Sequence, residues 1–346
     1  MRSADALTAA LLALAQACAV PLDDPIAAAP TPDAPPRLVG CPLLAAPPAV
    51  LGAVGRVQAV MSTDGAATVV ADALQYADGT RSPGAAAIHL APAHTPPGAC
   101  GGGWSPPLGA ELRTLGLGSL DEAVTINALA AFDSPTGLRA FVRTSLGEDA
   151  VGTALAAVDP ASGDLVAAPP YLFTADRPVY GEAVLVSDDH LYAYGCAPSG
   201  WLEDACFVAR VPMARVSEPS AWRFSAGGGT WVDDPDLAWP SFSGGRGLAV
   251  RRDGERVLVA YATPLSTTLM GRSGLGPDGP WSAPTPLGSC ATPAGAFCGP
   301  LAFLPALDGE EGLAIAQGVA SFEALTPEEQ LTRLVRVPRA AFTPRR

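Results

Sequence analysis

The sequence predicts an all-β fold, a five-bladed β-propeller of antiparallel four-stranded blades. Three observations carry this. An apolar strand, a turn, a second strand and a closing loop recur five times at a spacing of about 60 residues. The 36 prolines and 37 glycines are spread along the chain, as frequent turns between short strands require. Helix signals are confined mainly to Thr326-Pro327-Glu328-Glu329-Gln330, where Thr caps, Pro occupies the first turn and acids follow, which reads as one short helical insertion.

Taken in order, Ala6–Ala17 is an apolar run of 12 residues, too short to span a bilayer, ending in Ala15-Gln16-Ala17, a small-x-small cleavage pattern. Residues 1–17 are expected to be an export signal and 18–40 a tether, with Cys18 the lipidated residue of a bacterial lipoprotein. Ala15 and Gln16 depart from the usual lipobox, and Arg2 with Asp5 makes a poor positive flank. Residues 41–346 are expected to form one domain. Its units are seeded by Val54–Leu74 with Ala85–Leu90, Val124–Val142 with Thr153–Val158, Ala183–Phe224, Gly247–Gly271 and Leu301–Val337.

Turn chemistry supports each unit. Asp78-Gly79 follows an apolar run, and Asp159-Pro160 leads to Gly163 after Leu155–Val158. Asp188-Asp189 divides Val184–Ser187 from His190–Tyr194, and Arg252-Asp253-Gly254-Glu255 precedes Arg256–Tyr261. The last strand, Arg333–Val337, is placed to complete a blade with the N-terminal region and close the ring.

Composition narrows the class. Hydrophobic residues make up 49 %, enough for a sizeable core, and charged residues only 16 %. The formal charge of −13, with all 21 basic residues Arg, argues against nucleic acid as a partner. Seven cysteines leave six once Cys18 is set aside, and two tight local pairs stand out, Cys196 with Cys206 and Cys290 with Cys298. Cys41 and Cys100 remain as a third pair, although six cysteines allow 15 pairings. Disulfides imply an oxidising compartment. No metal site is expected, since there is no Cys-x-x-Cys and His89, His94 and His190 lie away from the cysteine pairs. There is no Gly-x-Ser-x-Gly, and neither Gly101-Gly102-Gly103 nor Gly227-Gly228-Gly229 opens a helix as a phosphate cradle does, so no cofactor is expected.

One stretch resembles a known family. Tyr180-Gly181-Glu182, Leu191–Cys196, Phe207–Pro212, Pro219–Phe224 and Gly229-Thr230-Trp231 follow one another as in the central blade of secreted propellers similar to glycoside hydrolase family 43, and to an uncharacterised-domain family that includes endo-arabinanases. Gly279-Pro280-Trp281-Ser282 is similar to a turn common in these propellers. The resemblance spans about 110 residues and rests on the order of the motifs. It implies a sugar-facing funnel holding two or three carboxylates.

Glycoside hydrolysis needs a proton donor with a raised pKa and a second carboxylate as base or nucleophile. The candidates are Asp72, Asp78 and Glu182. Asp78 matches a Phe-Gly-Asp-like turn of the first blade only loosely, and Asp-Gly is equally the commonest hairpin turn. Trp201, inside the Cys196–Cys206 loop, and Tyr180 are the candidate ligand-stacking aromatics, while Trp222 in an alternating strand belongs to the core. These readings converge on an exported, envelope-attached, monomeric propeller that binds or hydrolyses a poly- or oligosaccharide and meets the membrane through a lipid anchor only; an enzyme of this kind would be an arabinanase-like glycoside hydrolase. The competing reading is a non-catalytic structural or protein-interaction lipoprotein of the cell envelope.

Overall fold

In the computed structural model, the described residues are 36, 38, 40–43, 50–61, 67–81, 86–90, 112–114, 124–146, 149–158, 165–166, 171–200, 203–245, 247–310 and 312–343. The predicted export signal and Cys18 lie outside them, as do Cys100, Trp201 and the Asp159–Gly163 turn. Residues Pro35–Arg346 form one compact unit.

The described strands form five antiparallel sheets in a ring, a five-bladed propeller. The inner strands are Val50–Met61, Val124–Ser134, Ala183–Ser187, Ala249–Asp253 and Phe297–Phe303, one from each predicted unit. Each packs beside the inner strand of the next blade, and the fifth packs beside the first. Strand order within blades 1 and 4 is the simple meander expected of four strands. Blades 2 and 3 depart from it because their outer strand is broken. In blade 2, Leu165–Val166 and Phe173–Thr174 both pair with Asp149–Val158. In blade 3, Arg223–Ser225 and Phe242–Gly244 both pair with Asp204–Pro212, and Trp231–Val232 adds a hairpin strand.

The fourth strand of blade 5 comes from the other end of the chain, as the sequence predicts. Cys41 and Pro42 pair with Leu334 and Arg333. Just upstream, Leu38 N–H donates to Ser289 O and Ser289 N–H donates to Pro36 O, both at 2.9 Å, so the same segment also edges blade 4. Leu38 and Leu43 are buried, which drives this strap against blades 4, 5 and 1.

The turn readings hold where the chain is described. Asp188 and Asp189 have φ of 51° and 59°, the paired left-handed geometry of a type I′ hairpin. Thr326–Gln330 forms a single turn and no helix. Thr326 N–H donates to the Glu329 carboxylate (2.9 Å) and Glu329 N–H to Thr326 Oγ1 (3.3 Å), a capping box with nothing behind it. The buried Leu331 must bridge to Val54, so the chain returns to extended geometry.

The core lies between blades. Phe132, Phe141, Phe173, Tyr180, Trp222 and Phe224 form the largest aromatic cluster, between blades 2 and 3, with Phe173 edge-on to Trp222 at 5.2 Å. Trp222 is buried, as expected, although it ends a short 3-10 turn, Pro219–Ala221, just ahead of the strand Arg223–Ser225 instead of lying in a strand.

Candidate functional site at the channel mouth

The inner strands share a common level at the mouth, set by local sequence. In blades 1, 2 and 5 a β-bulge places two residues against one: Gly55-Arg56 against Asp72, Leu129-Ala130 against Phe141, and Gly299-Pro300 against Gly318. Blades 3 and 4 enter at the same level through Gly181-Glu182 and Gly247-Leu248. Hydrogen bonds between neighbouring blades mark the level, from Ala130 N–H to Gly181 O (2.9 Å) and from Leu301 N–H to Gly247 O (3.0 Å). Gly55, Gly181 and Gly247 have φ of +80°, +90° and +71°, which side chains rarely tolerate. Gly247 also passes so close to blade 5 that a Cβ would lie 2.6 Å from Gly299 O.

The position after these glycines carries the chemistry: Arg56 in blade 1 and Glu182 in blade 3. The Arg56 guanidinium lies 3.5 Å from Glu182 Oε1, with both side chains largely buried, and it also donates to Glu182 O. Gly247 N–H donates to the same Oε1 at 2.9 Å. Glu182 therefore ties blade 3 to blades 1 and 4. Asp72 reaches the bulge from the second strand of blade 1 and accepts Arg56 N–H at 2.7 Å. Burial pushes its carboxyl above the ordinary carboxylate value, against the opposing effects of that hydrogen bond and the Arg56 charge. Below, Gln58 clamps blade 2 by donating to Leu129 O (2.7 Å) and accepting Ala131 N–H (2.8 Å).

Glu182 and Gln58 open onto an axial cavity of about 80 Å³, walled otherwise by Ala130–Ala131, Ala183–Val184, Leu248–Val250 and Leu301–Phe303. That volume has room for a few water molecules. All five blades contribute to it. Among the described residues, Glu182 supplies the one carboxylate that lines it.

The structure thus brings two of the three carboxylate candidates onto one arginine and leaves the third apart. Asp78 stands exposed in the turn after Ala67–Tyr76, where it accepts Thr80 N–H (2.9 Å) and Thr80 Oγ1–H (2.6 Å), bonds that hold its carboxyl below the ordinary value. Its Asp-Gly pair is there for the turn, with Gly79 at φ +87°. Tyr180, expected to stack on a ligand, does not face solvent. Its ring is fully buried against Phe173 and Phe224, because the aromatic core between blades 2 and 3 claims it. The Cys196–Cys206 and Cys290–Cys298 disulfides are formed, and Cys41 is disulfide-bonded as well. Sequence reasoning missed Arg56. The signal that would have found it is the glycine before it, since an isolated glycine inside an apolar strand marks a bulge.

With this geometry in view, the chain can be compared with known proteins. Its fold resembles the propellers of glycoside hydrolase families 43 and 62. A GH43_1 enzyme from Xanthomonas citri, solved with xylotriose, superposes at a TM-score of 0.51 with 16 % identity, over 87 % of this chain and 89 % of that one. A thermostable family-43 glycoside hydrolase gives 0.51 and 12 %, over 85 % and 95 %. The catalytic domain of the Coprinopsis cinerea GH62 α-L-arabinofuranosidase gives 0.50 and 10 %, over 88 % and 97 %. No protein-family profile matches the chain, and no curated protein matches it in sequence. At these identities the likeness is one of fold.

Proposed function

We propose that the protein is an exported propeller that binds a neutral oligo- or polysaccharide at the Glu182 end of its channel, without cleaving it. The observation that carries this reading is the single carboxylate at the cavity. Glycosidases of the two-carboxylate kind need a donor and a base or nucleophile facing each other across the substrate. Here Asp72 is spent on Arg56 within its own blade, and Glu182 stands over the cavity alone among the described residues. A carboxylate fixed by a guanidinium and a backbone N–H is a preorganised acceptor for sugar hydroxyls. The fold it shares with carbohydrate-active enzymes, one of them solved with xylotriose, supports a glycan as the ligand class.

Hydrolysis is the second reading, favoured by one observation: burial raises the proton affinity of Asp72, as a general acid requires. Export is supported by the disulfides, which persist in oxidising compartments. Attachment through a lipid on Cys18 belongs to the same proposal.

The test is to incubate the purified protein with arabinans, galactans and xylans, reading binding and released reducing ends together. Binding without release is expected, and Glu182→Gln should weaken it about tenfold or more, the size of a charge-assisted hydrogen bond, while circular dichroism confirms the fold. Release of reducing ends abolished by Asp72→Asn would establish the hydrolytic reading instead. No binding and no release would leave an envelope scaffold.

A further inference from the structure

On the rim of the mouth, blade 5 presents an aromatic pair, one ring of it in solvent. Phe322 is 82 % exposed, and its ring meets that of Phe297 edge-on, with centroids 5.5 Å apart and planes at 71°. Burying a ring is worth far more than leaving it in water, so a ligand that covers Phe322 gains from the contact.

The surroundings are rigid. Phe297 lies in an inner strand next to the Cys290–Cys298 disulfide. Phe322 follows directly on Ala320-Ser321, and Ala320 is the ladder partner of Phe297. The Ser321 hydroxyl accepts Glu323 N–H at 3.0 Å and fixes the turn that carries Phe322. The neighbouring loop of blade 4 is tied to this strand by Cys298 N–H donating to Ser266 O (3.1 Å) and Cys290 N–H donating to Thr267 O (2.7 Å). That loop holds Leu265 at φ +54°, a strained conformation for a bulky side chain, and leaves it 54 % exposed. The Phe297–Phe322 pair and the tied loop that exposes Leu265 are thus preorganised, so a ligand would meet little ordering cost.

Position and charge identify the occupant. Phe297 lies four residues before Leu301, which bonds to Gly247 O at the mouth, so its backbone stands at most about 14 Å from that part of the cavity wall. Exposed Glu323 follows Phe322 directly in the chain, and the formal charge is −13, which disfavours anionic glycans and anionic lipid surfaces. We propose that Phe322, with Phe297 and Leu265, is an outer platform on which a ring of a neutral glycan stacks after its chain leaves the mouth. This rests on the oligosaccharide-binding reading and extends it from one contact to a track.

The experiment is calorimetric titration of the purified protein with xylotriose, xylohexaose, arabinotriose and arabinohexaose, using the unaltered chain, Phe322→Ala, Phe322→Trp and Glu182→Gln. The expected result is that Phe322→Ala weakens hexaose binding about threefold to tenfold and triose binding little, while Phe322→Trp retains hexaose affinity. Phe322 is so exposed that its truncation leaves the core intact. Unchanged hexaose affinity in Phe322→Ala, with a loss in Glu182→Gln, overturns the platform and leaves the mouth standing. The reverse pattern keeps the platform and removes the mouth. Absence of binding to all four sugars overturns both, and a dimer that Phe322→Ala converts to monomer in sedimentation assigns the aromatic pair to self-association and also overturns the proposal.

Discussion

Two glycines with nearly the same backbone separate conformational strain from packing. Gly181 has φ +90° and Gly79 has φ +87°, so alanine meets a comparable backbone penalty at each, about 1–2 kcal/mol. Their surroundings differ. A Cβ at Gly79 finds nothing within 4 Å, whereas one at Gly181 would lie 2.3 Å from Phe141 Cγ, 2.5 Å from Cδ1 and 2.6 Å from Cβ. Phe141 cannot give way, because it is fully buried with Phe132 and Trp222 at 6.0 Å on either side. Overpacking of this kind costs a further ~1–3 kcal/mol. Gly79→Ala should therefore cost about 1–2 kcal/mol and Gly181→Ala about 2–5 kcal/mol, a large part of the stability of an ordinary domain. Urea unfolding with the disulfides intact, followed by tryptophan fluorescence, measures both. Equal losses would refute the reasoning, since they would mean that the close approach of blade 3 to Phe141 carries no energy. Because Gly181 O accepts Ala130 N–H and Glu182 is the next residue, Gly181→Ala should also weaken whatever ligand the mouth binds.

Two other predictions concern the mouth and the ring. Asp72 has its carboxyl raised by burial, so the folded state binds the proton more tightly than the unfolded state; its favourable contribution is full at pH below the ordinary carboxylate value and is lost as pH rises through the folded value. Relative to Asp72→Asn, the unaltered protein should gain stability as pH falls from neutrality through that window, and urea midpoints of the two proteins that stay parallel from pH 7 to pH 4 would contradict this. Leu43→Ala, in the segment that closes the ring, should cost about 2–5 kcal/mol as a buried leucine 1 % exposed, read as a lowered urea midpoint. No loss would mean that closure by Cys41–Leu43 is dispensable.

Much of the architecture was legible because it is written in short-range terms. Alternating apolar residues with Asp-Asp and Asp-Gly turns specify hairpins through local geometry, and all five seeds became blades. Register was legible where a turn sets it, as at Asp188-Asp189, where Ser187 pairs with His190. The broken outer strands of blades 2 and 3 were not, since an edge strand is held by its neighbour and leaves little pattern of its own. Thr326–Gln330 carries every local sign of a helix start, and a distant bridge between Leu331 and Val54 overrides it.

The site divides in the same way. Glu182 could be singled out by its place at a strand start, and the cysteine pairs by their proximity in sequence. For Arg56 the glycine before it marks only a bulge; its partner Glu182 lies 126 positions away, and only the closure of the ring sets the two side by side. Tyr180 and Asp78 show the converse. Each belongs to a residue type suited to ligands, yet packing against Phe173 and Phe224 removes the first from solvent, and Thr80 engages the carboxylate of the second within its own exposed turn. Sequence determined the strands, the turns and the five-fold repeat, for these depend on neighbours along the chain. Which side chains meet at the axis was decided by tertiary structure, because a propeller builds its centre from residues of different blades, whose encounter no local pattern encodes.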